Sequence, residues 1–257
     1  MLDQIISIVR EAGKIVLSAQ DITARTHEKT SAADLVTEYD VAVETFLKEK
    51  LLQLMPEAIF YGEEQTEKQD PSHGWAFIVD PIDGTTNFIR GFRQSSISVA
   101  LAKDGQVEYG VVFDPYKNEV FSAKRGCGAF LNGAPIHVSP LPVDRAVFGV
   151  GSALYRREYL EPTMRITTQL MQRSCDFRRL ASAALDLCNV ACGRLEIFFE
   201  YSLCPWDYAA GSLIITEAGG KISTMQGKPL PITERCSVWC ANDLCFDVLQ
   251  DLDIVDF

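Results

Sequence analysis

The sequence lacks any apolar run approaching the roughly 20 residues that a membrane-spanning helix requires. Its first residues, Met1-Leu2-Asp3-Gln4, also lack the basic segment with which a secretory signal begins. Low-complexity segments and internal repeats are absent, while apolar residues make up 47% of the 257 residues. We therefore expect an ordered globular protein that is cytoplasmic and has no membrane partner.

Basic residues are scarce: 24 lysines and arginines stand against 35 aspartates and glutamates, giving a formal net charge of −11. Such a chain has little long-range attraction for nucleic acid, so we expect no direct nucleic-acid binding. An anionic substrate would need a local positive centre. Histidine is rare too, and His27, His73 and His137 have no ligand partner near them in sequence, so none is expected to be catalytic.

The eight cysteines lack the paired spacing of a zinc site or of a disulfide framework. Cys188 and Cys192 are one helical turn apart, and the last three cysteines have no histidine nearby. We expect reduced thiols that are mostly buried, because free cysteine packs as a small apolar side chain.

Hydrophobic periodicity and turn residues predict a mixed α/β protein with helices layered against two sheets. Asp-Gly and Asn-Gly turns between alternating residues predict an antiparallel meander over 95–138. A soft boundary near Pro140 divides an N-terminal antiparallel-sheet lobe, 1–140, from a C-terminal mixed lobe, 141–257. The predicted helices are 2–16, 40–54, 158–172, 182–192, 208–218 and 243–250, and the predicted strands outside the meander are 58–61, 75–79, 146–150, 195–199, 221–225 and 237–241.

The most informative stretch is Asp80-Pro81-Ile82-Asp83-Gly84-Thr85-Thr86-Asn87-Phe88, which follows a predicted buried strand. Two carboxylates three residues apart leave this strand end together. Gly84 permits a tight turn whose N–H groups point outward, and such a turn can hold a phosphate. A helix that begins at Thr85 or Thr86 would add its positive end to this anion site.

Further carboxylates follow other element ends: Glu63 and Glu64 come after the strand 58–61, and Asp207 opens a helix. If these side chains converge, they supply the oxygen ligands that Mg²⁺ prefers and can build a two-metal centre for phosphate transfer. Each residue taken alone also fits an ordinary turn, a solvated loop or a helix cap.

The sequence resembles the inositol monophosphatase family over nearly its whole length. The resemblance implies a layered αβαβα sandwich of the sugar-phosphatase type, a homodimer, and a lithium-sensitive hydrolase with two or three Mg²⁺ ions per active site. The matching motifs are Asp34 to Asp40, Gly62-Glu63-Glu64, Asp80 to Phe88, Ala181 to Leu187, and Trp206-Asp207-Tyr208-Ala209-Ala210-Gly211 running on to Glu217-Ala218-Gly219-Gly220.

The resemblance also implies the roles of individual residues in catalysis. One Mg²⁺ would be held by Glu63, Asp80 and the Ile82 carbonyl, a second by Asp80, Asp83 and Asp207, and a third, weaker ion would lie near Glu63. Thr85, paired with Asp40, would orient the attacking water beside Glu63. The backbone N–H groups of Gly84 and Thr85 would bind the phosphate.

On the substrate side, the resemblance assigns the polyol hydroxyls to Asp83, Ala181, Ser182, Ala183 and Glu200. The sequence departs from the family at two positions: Ala181 stands where glycine is frequent, and Cys204 where animal members carry histidine. Lys29 matches a family lysine near the third ion. The roles of Lys29 and Asp34 stay open, and Arg178 and Arg179 could bind a second phosphate or lie at a subunit interface.

The expected reaction is Mg²⁺-dependent hydrolysis of small phosphate monoesters of polyols or sugars, with myo-inositol 1-phosphate as the leading substrate. Fructose-1,6-bisphosphatase or another sugar phosphatase activity is the alternative among enzymes. A regulatory protein that binds the transcription machinery is the alternative from another class, because bacterial relatives are known for it.

Overall fold

The computed structural model describes residues 1–31 and 34–255, and its secondary structure follows the hydrophobic periodicity. The α-helices of the described residues are α1 (Leu2–Leu17), α2 (Glu38–Leu54), α3 (Thr85–Ile89), α4 (Leu160–Met171), α5 (Ala183–Ala191) and α6 (Pro205–Glu217). None of these helices is both long and apolar enough to cross a membrane.

The strands of the first half form a two-stranded ribbon and a seven-stranded sheet. The ribbon pairs β1 (Thr26–Ser31) with β2 (Asp34–Thr37). In the sheet, β3 and β4 are parallel and each later neighbouring pair is antiparallel, so the predicted meander is confirmed. The strands, in spatial order, are β3 (Ile59–Gly62), β4 (Trp75–Asp83), β5 (Ser96–Lys103), β6 (Gln106–Asp114), β7 (Glu119–Lys124), β8 (Ala129–Leu131) and β9 (Ala134–Ile136).

The second half forms a mixed five-stranded sheet. It contains β10 (Val147–Val150), β11 (Asp176–Arg178), β12 (Ile197–Leu203), β13 (Lys221–Ser223) and β14 (Cys236–Ala241), in the spatial order β11-β10-β12-β14-β13. Strand β10 runs parallel to β11 and β12, whereas β14 is antiparallel to both of its neighbours.

Three hydrophobic cores stack the elements into αβαβα layers, as expected. Helices α1 and α2 cover one face of the seven-stranded sheet, where Leu47 packs near Phe77. Helices α5 and α6 fill the space between the sheets, where Ile214 belongs to one core with residues of both. Helix α4 closes the far face of the five-stranded sheet through Ile166 and Leu170. Helices α5 and α6 pack against both sheets, so the two halves share a core. The division into two lobes at residue 140 therefore stays a prediction.

Several predicted boundaries are wrong, each for a local reason. Helix α2 begins at Glu38 rather than at residue 40, because Thr37 and Asp40 form a capping box there. The strand predicted to end at 199 continues to Leu203 through an irregular register with β14 after Glu200. The last predicted helix is a 3₁₀ turn, Phe246–Asp251, which follows an Asn242 side chain that accepts the Cys245 N–H at 2.8 Å.

Candidate active site

The carboxylates singled out in the sequence lie where β3, β4 and α6 begin or end. Glu63 directly follows β3, and its N–H donates to the Val79 carbonyl on β4 at 3.1 Å. Asp207 lies in the first turn of α6, where Oδ2 accepts the Cys204 N–H at 2.7 Å and so caps the helix. These contacts hold the two chain segments that carry Glu63 and Asp207.

The end of β4 supplies two more carboxylates, Asp80 and Asp83. The pairing of β4 with β5 is irregular between these residues, where Pro81 offers no N–H to the ladder. Asp80 Oδ1 accepts the Ile82 N–H at 3.0 Å, which fixes its side chain. Both carboxylates are buried, with exposed fractions of 2% and 7%.

The surroundings of the cluster raise the pKa of its three aspartates, Asp80, Asp83 and Asp207. Burial is the main cause for Asp80, Asp83 and Asp207, and in each case it raises the pKa above the ordinary value. Glu63 and Asp83 raise the pKa of both Asp80 and Asp207 further. Buried carboxylates that repel one another need a cation to ionise at low cost, so the donor set suits a divalent metal.

The side chains of the cluster are not arranged around a common metal position in this structure. In residues 1–31 and 34–255, no group of three or more His, Cys, Asp or Glu side chains is arranged to hold a metal ion. Glu63 is instead turned to Lys29, whose Nζ donates to Glu63 Oε1 at 2.9 Å. A preformed group of three side-chain ligands is not needed for Mg²⁺, because this ion takes few protein ligands and completes its shell with water and substrate oxygens. The raised pKa values of the aspartates are therefore the better guide to the site. The residues therefore fit Mg²⁺ once Glu63 turns away from Lys29.

Thr85 and Asp40 lie together beside this cluster. Thr85 Oγ1 is 3.4 Å from Asp40 Oδ1 and 3.2 Å from the Ile82 carbonyl, so its single proton has two acceptors. Asp40 is held through Oδ2 by the Thr37 N–H at 2.8 Å. Burial is the largest influence on the pKa of Asp40 and raises it to about 6. Above that pH, Asp40 is ionised and can accept a hydrogen bond from the Thr85 hydroxyl, which leaves the threonine oxygen free to accept a hydrogen bond from another donor.

The turn after β4 requires glycine and is tied to the second half of the chain. Gly84 has φ +91°, and a Cβ there would lie 3.0 Å from the carbonyl oxygens of Ala181 and Gln94. The Asn87 amide donates to the carbonyls of Gln94 at 2.8 Å and Leu180 at 2.7 Å. A short helix begins at Thr85, as predicted, while phosphate binding by this turn stays a prediction.

Asp83 connects the turn with the start of α5. Its oxygens accept the N–H groups of Ala183 at 3.1 Å and Ala184 at 2.9 Å, and the hydroxyls of Ser182 and Ser96. The structure thus brings together Asp83, Ser182 and Ala183, three of the predicted substrate contacts, but engages them with one another. Their contacts with a polyol stay a prediction.

Ala181 and Glu200 complete the predicted substrate set. Ala181 has φ +60°, which explains why glycine would suit this position and means that alanine adds strain of about 1 kcal/mol. Glu200 is half-buried on β12, and Oε1 accepts the Ala153 N–H at 3.0 Å. Burial raises the pKa of Glu200 to about 7, and the Asp83 carboxylate adds to the rise.

Comparison with known proteins gives the family. The profile of the inositol monophosphatase family matches residues 1–252. The chain belongs to the inositol monophosphatase family. Nus factor SuhB of Escherichia coli K12 is 35% identical over 229 residues, 88% of this chain and 86% of that protein. The Thermotoga maritima IMPase superposes with a TM-score of 0.85 at 32% identity, over 97% of this chain and 95% of that one. SaIMPase-II with bound inositol monophosphate superposes with a TM-score of 0.83 at 26% identity, over 98% of this chain and 93% of that one.

The sequence left open the roles of Lys29, Asp34 and Arg178 in this inositol monophosphatase family member, and the structure shows contacts for two of them. Lys29 pairs with Glu63 and also with Glu64, at 2.6 Å. Burial alone would lower the pKa of Lys29, but the two carboxylates outweigh it and raise the pKa. Arg178 pairs with Asp176 at 2.6 Å on the surface. The side chain of Asp34 lies outside the described residues.

The sequence did not predict two contacts at the site of this inositol monophosphatase family member, one made by Lys68 and one by Arg235. The Lys68 ammonium lies 3.4 Å from the centre of the Trp206 ring and donates to the Glu63 carbonyl at 3.1 Å. It thereby links the Glu63 loop to the residue before Asp207. Arg235 is the other, and it hydrogen-bonds the Tyr155 hydroxyl at 2.7 Å. The contacts of Lys68 with Trp206 and of Arg235 with Tyr155 have no signal in the sequence, because these partners are far apart along the chain.

Proposed function

We propose that the protein hydrolyses phosphate monoesters of small polyols or sugars with Mg²⁺ as cofactor. The observation that carries this proposal is the group of Asp80, Asp83 and Asp207 beside Glu63: Asp80 and Asp83 are buried, Asp207 is half-buried, and burial raises the pKa of all three. Membership of the inositol monophosphatase family supports it.

The cofactor would be held by the side chains of Glu63, Asp80, Asp83 and Asp207 and by the Ile82 carbonyl. When bound, Mg²⁺ would neutralise phosphate charge and favour ionisation of the attacking water. The protein residues orient the reactants. Asp40 accepts a hydrogen bond from the Thr85 hydroxyl, so the Thr85 oxygen can accept a hydrogen bond from water and aim it at phosphorus. The Gly84 turn would hold the phosphate with its N–H groups.

The decisive experiment is Asp80→Asn, measured as release of inorganic phosphate at saturating Mg²⁺. We expect turnover to fall by about three orders of magnitude, because metal electrostatics supplies most of the barrier reduction in phosphate transfer. The matched control is Asp243→Asn, which changes an exposed aspartate that forms an ion pair with Lys221 on the surface. Near-normal turnover by Asp80→Asn, with circular dichroism showing an intact fold, would reject the two-metal proposal.

For the substrate, we propose myo-inositol 1-phosphate or a related polyol phosphate. The known complex of SaIMPase-II with inositol monophosphate supports this choice. Fructose 1,6-bisphosphate is the alternative substrate. A panel of phosphate esters under identical Mg²⁺ conditions ranks them by kcat/KM, and failure with every monoester would contradict the proposal.

A regulatory role in transcription is a second candidate, because the E. coli relative is a Nus factor. The acidic chain would then act through protein contacts rather than by direct binding to RNA. A pull-down from the native cell with wild-type protein and with Asp80→Asn tests this role apart from catalysis. Recovery of no transcription protein with either form would count against it. A cytoplasmic location is proposed for both roles.

We also propose that the protein is a homodimer. Helix α4 leaves Leu160, Met164 and Met171 exposed by 42%, 54% and 53%, and their spacing puts them along one side of the helix. A second copy would cover this apolar stripe. Light scattering after gel filtration should give twice the chain mass, and Met164→Glu should shift it toward one chain.

A further inference from the structure

The chain between β13 and β14 contains a segment, residues 229–235, that belongs to no helix or strand. Two of its residues, Pro229 and Pro231, have no N–H group to donate. Within the part of the chain that the structure describes, residues 229–234 make no hydrogen bond between backbone groups. The position of this 229–235 segment therefore depends on side chains from other parts of the chain.

Packing against α6 holds the segment only in part. A cavity of about 410 Å³ lies between residues 229–232 and the side of α6 that carries Ala209 and Leu213. Leu230 and Ile232 still contact the core between the two sheets. Because atoms that face a cavity lack contacts on that side, van der Waals packing fixes this part of the segment less firmly than the rest of the core.

The Tyr208 hydroxyl is bonded to the backbone of the segment. Tyr208 follows Asp207 in the first turn of α6, and its exposed fraction is only 2%. The hydroxyl donates toward the carbonyls of Pro231 at 2.6 Å and of Glu234 at 3.0 Å. The side chain of Cys236, just after the segment, is a further hydrogen-bond neighbour of this hydroxyl. The start of α6, which carries Asp207, is thereby tied to the segment.

A second tyrosine, from the first half of the chain, reaches the same segment. Tyr61 lies two residues before Glu63 on β3, the outer strand of the seven-stranded sheet. Its hydroxyl donates to the Thr233 carbonyl at 3.3 Å. Its ring also contacts Trp206, with the ring centres 5.7 Å apart. The segment thus joins the strand before Glu63 to the first turn of α6.

The segment is also anchored at its far end. Arg235, its last residue, donates through Nη1 to the Tyr155 hydroxyl at 2.7 Å and to Ser202 Oγ at 3.1 Å. Ser202 lies on β12, which pairs with β14 in the five-stranded sheet. The two tyrosine hydroxyls are therefore bonded to a segment that is itself fixed to a sheet.

Glu63 and Asp207 come from different halves of the chain, so their separation depends on how these halves are held together. Mg²⁺ accepts only a narrow range of ligand distances, about 2.0–2.1 Å, and a shift of either carboxylate weakens its binding. We propose that Tyr61 and Tyr208 are positioning residues, whose hydroxyls hold Glu63 and Asp207 at the separation that Mg²⁺ needs through the shared 229–235 segment. The inference rests on the proposed Mg²⁺-dependent function and adds two residues to that site.

Tyr61→Phe and Tyr208→Phe test the proposal, because each removes one hydroxyl and keeps the ring. Calorimetric titration with Mg²⁺ alone should give a dissociation constant raised about threefold to tenfold in each variant, the range for one lost neutral hydrogen bond. The double variant should bind no more weakly than the weaker single variant, since loss of either bond breaks the same link. In phosphate-release assays, the kcat that is lost at low Mg²⁺ should return at saturating Mg²⁺.

The matched control is Tyr109→Phe. Tyr109 packs with α1 and α2 on one face of the seven-stranded sheet, whereas Tyr61 belongs to the core on the other face. This variant removes the same chemical group from the same sheet without touching the segment. Its dissociation constant for Mg²⁺ should equal that of the wild type.

A role in stability alone predicts a different result, namely a lower Tm with an unchanged dissociation constant for Mg²⁺. Amide hydrogen exchange in the metal-free protein gives a separate measurement. The N–H groups of Glu63 and Asp207 are bonded to the carbonyls of Val79 and Cys204. Both should exchange faster in Tyr208→Phe, because the link between their segments is broken.

The inference is overturned if both single variants bind Mg²⁺ like the wild type, or if their losses multiply in the double variant. It is also overturned if Tyr208→Phe leaves exchange at Glu63 unchanged. Each of these results leaves the phosphatase proposal intact. Wild-type protein that binds no Mg²⁺ would instead contradict both proposals.

Discussion

Binding of Mg²⁺ should stabilise the protein, and this can be measured without any substrate. Asp80 and Asp83 are buried and Asp207 is half-buried, and burial makes each of them harder to ionise. Neighbouring carboxylates raise the pKa of Asp80 and Asp207 further. The metal-free fold therefore bears an electrostatic cost at neutral pH. A divalent cation that binds the folded state alone removes this cost and shifts the unfolding equilibrium.

The size of the effect follows from mass action. With free Mg²⁺ at about 100 times its dissociation constant, the folded state gains about 2.7 kcal/mol. For a chain of this length, each kcal/mol changes Tm by about 2–4 °C, so we expect an increase of about 5–10 °C. Asp207→Asn removes one ligand and should lose most of this increase.

The pH dependence has a definite sign. Since these carboxyl groups have raised pKa values, the folded state binds more protons than the unfolded state between the ordinary pKa of 3.8 and the raised values. Stability of the metal-free protein must then fall as pH rises through this window. Asp40, with a pKa raised to about 6, contributes in the same direction. Because Mg²⁺ competes with protons for the carboxylates, its effect on Tm should grow between pH 5 and pH 8.

Differential scanning calorimetry with Mg²⁺ or EDTA at these two pH values makes the measurement. The matched control is Asp186→Asn, because Asp186 is also buried with a raised pKa but is not a predicted ligand. This variant should keep the Mg²⁺ effect. Equal Tm values with and without Mg²⁺ at pH 8, or a wild-type response in Asp207→Asn, would refute the argument.

Four further predictions concern activity and Mg²⁺ binding. Thr85→Ala should lower kcat more than KM while sparing Mg²⁺ binding, because its hydroxyl orients water; unchanged kcat in steady-state assays would reduce Thr85 to a turn residue. Glu200→Gln should lower kcat/KM for inositol 1-phosphate by about tenfold to a hundredfold and affect an aryl phosphate far less; equal losses would assign Glu200 to folding or metal binding. Lys68→Met should weaken Mg²⁺ affinity in calorimetry by freeing the Glu63 loop from Trp206, with Lys68→Arg restoring part of it; wild-type affinity in both would exclude this role. Lithium at millimolar concentration should inhibit uncompetitively, and less in Asp207→Asn, because it would replace the second Mg²⁺ after cleavage and trap the phosphate; competitive kinetics would contradict binding at that step.

The sequence by itself determined the order and type of most elements. Alternating apolar residues with Asn-Gly and Asp-Gly turns predicted the meander of the first sheet, since two-residue turns fix antiparallel neighbours locally. It also gave the candidate carboxylates, because Asp80, Asp83 and Asp207 stand at element ends in motifs that match the inositol monophosphatase family. These signals are local along the chain and need no knowledge of packing.

Boundaries at Thr37 and Glu200 depended on contacts between side chain and backbone or between strands. The capping box at Thr37 moved the start of α2, and the irregular pairing with β14 carried β12 past Glu200. Apolar periodicity does not register such contacts, because they change hydrogen bonding without changing the pattern of buried side chains.

Only the tertiary structure decided how the site residues engage one another. It joined Asp83 to the start of α5, placed Lys68 between the Glu63 carbonyl and Trp206, and left Arg235 with neutral partners. Apart from the local hydrogen bond of Lys68 to the Glu63 carbonyl, these contacts join residues distant in sequence, so they form only once the two sheets are stacked on α5 and α6. Burial, which sets the pKa values of the carboxylates, likewise arises from this stacking and from no single segment of the chain.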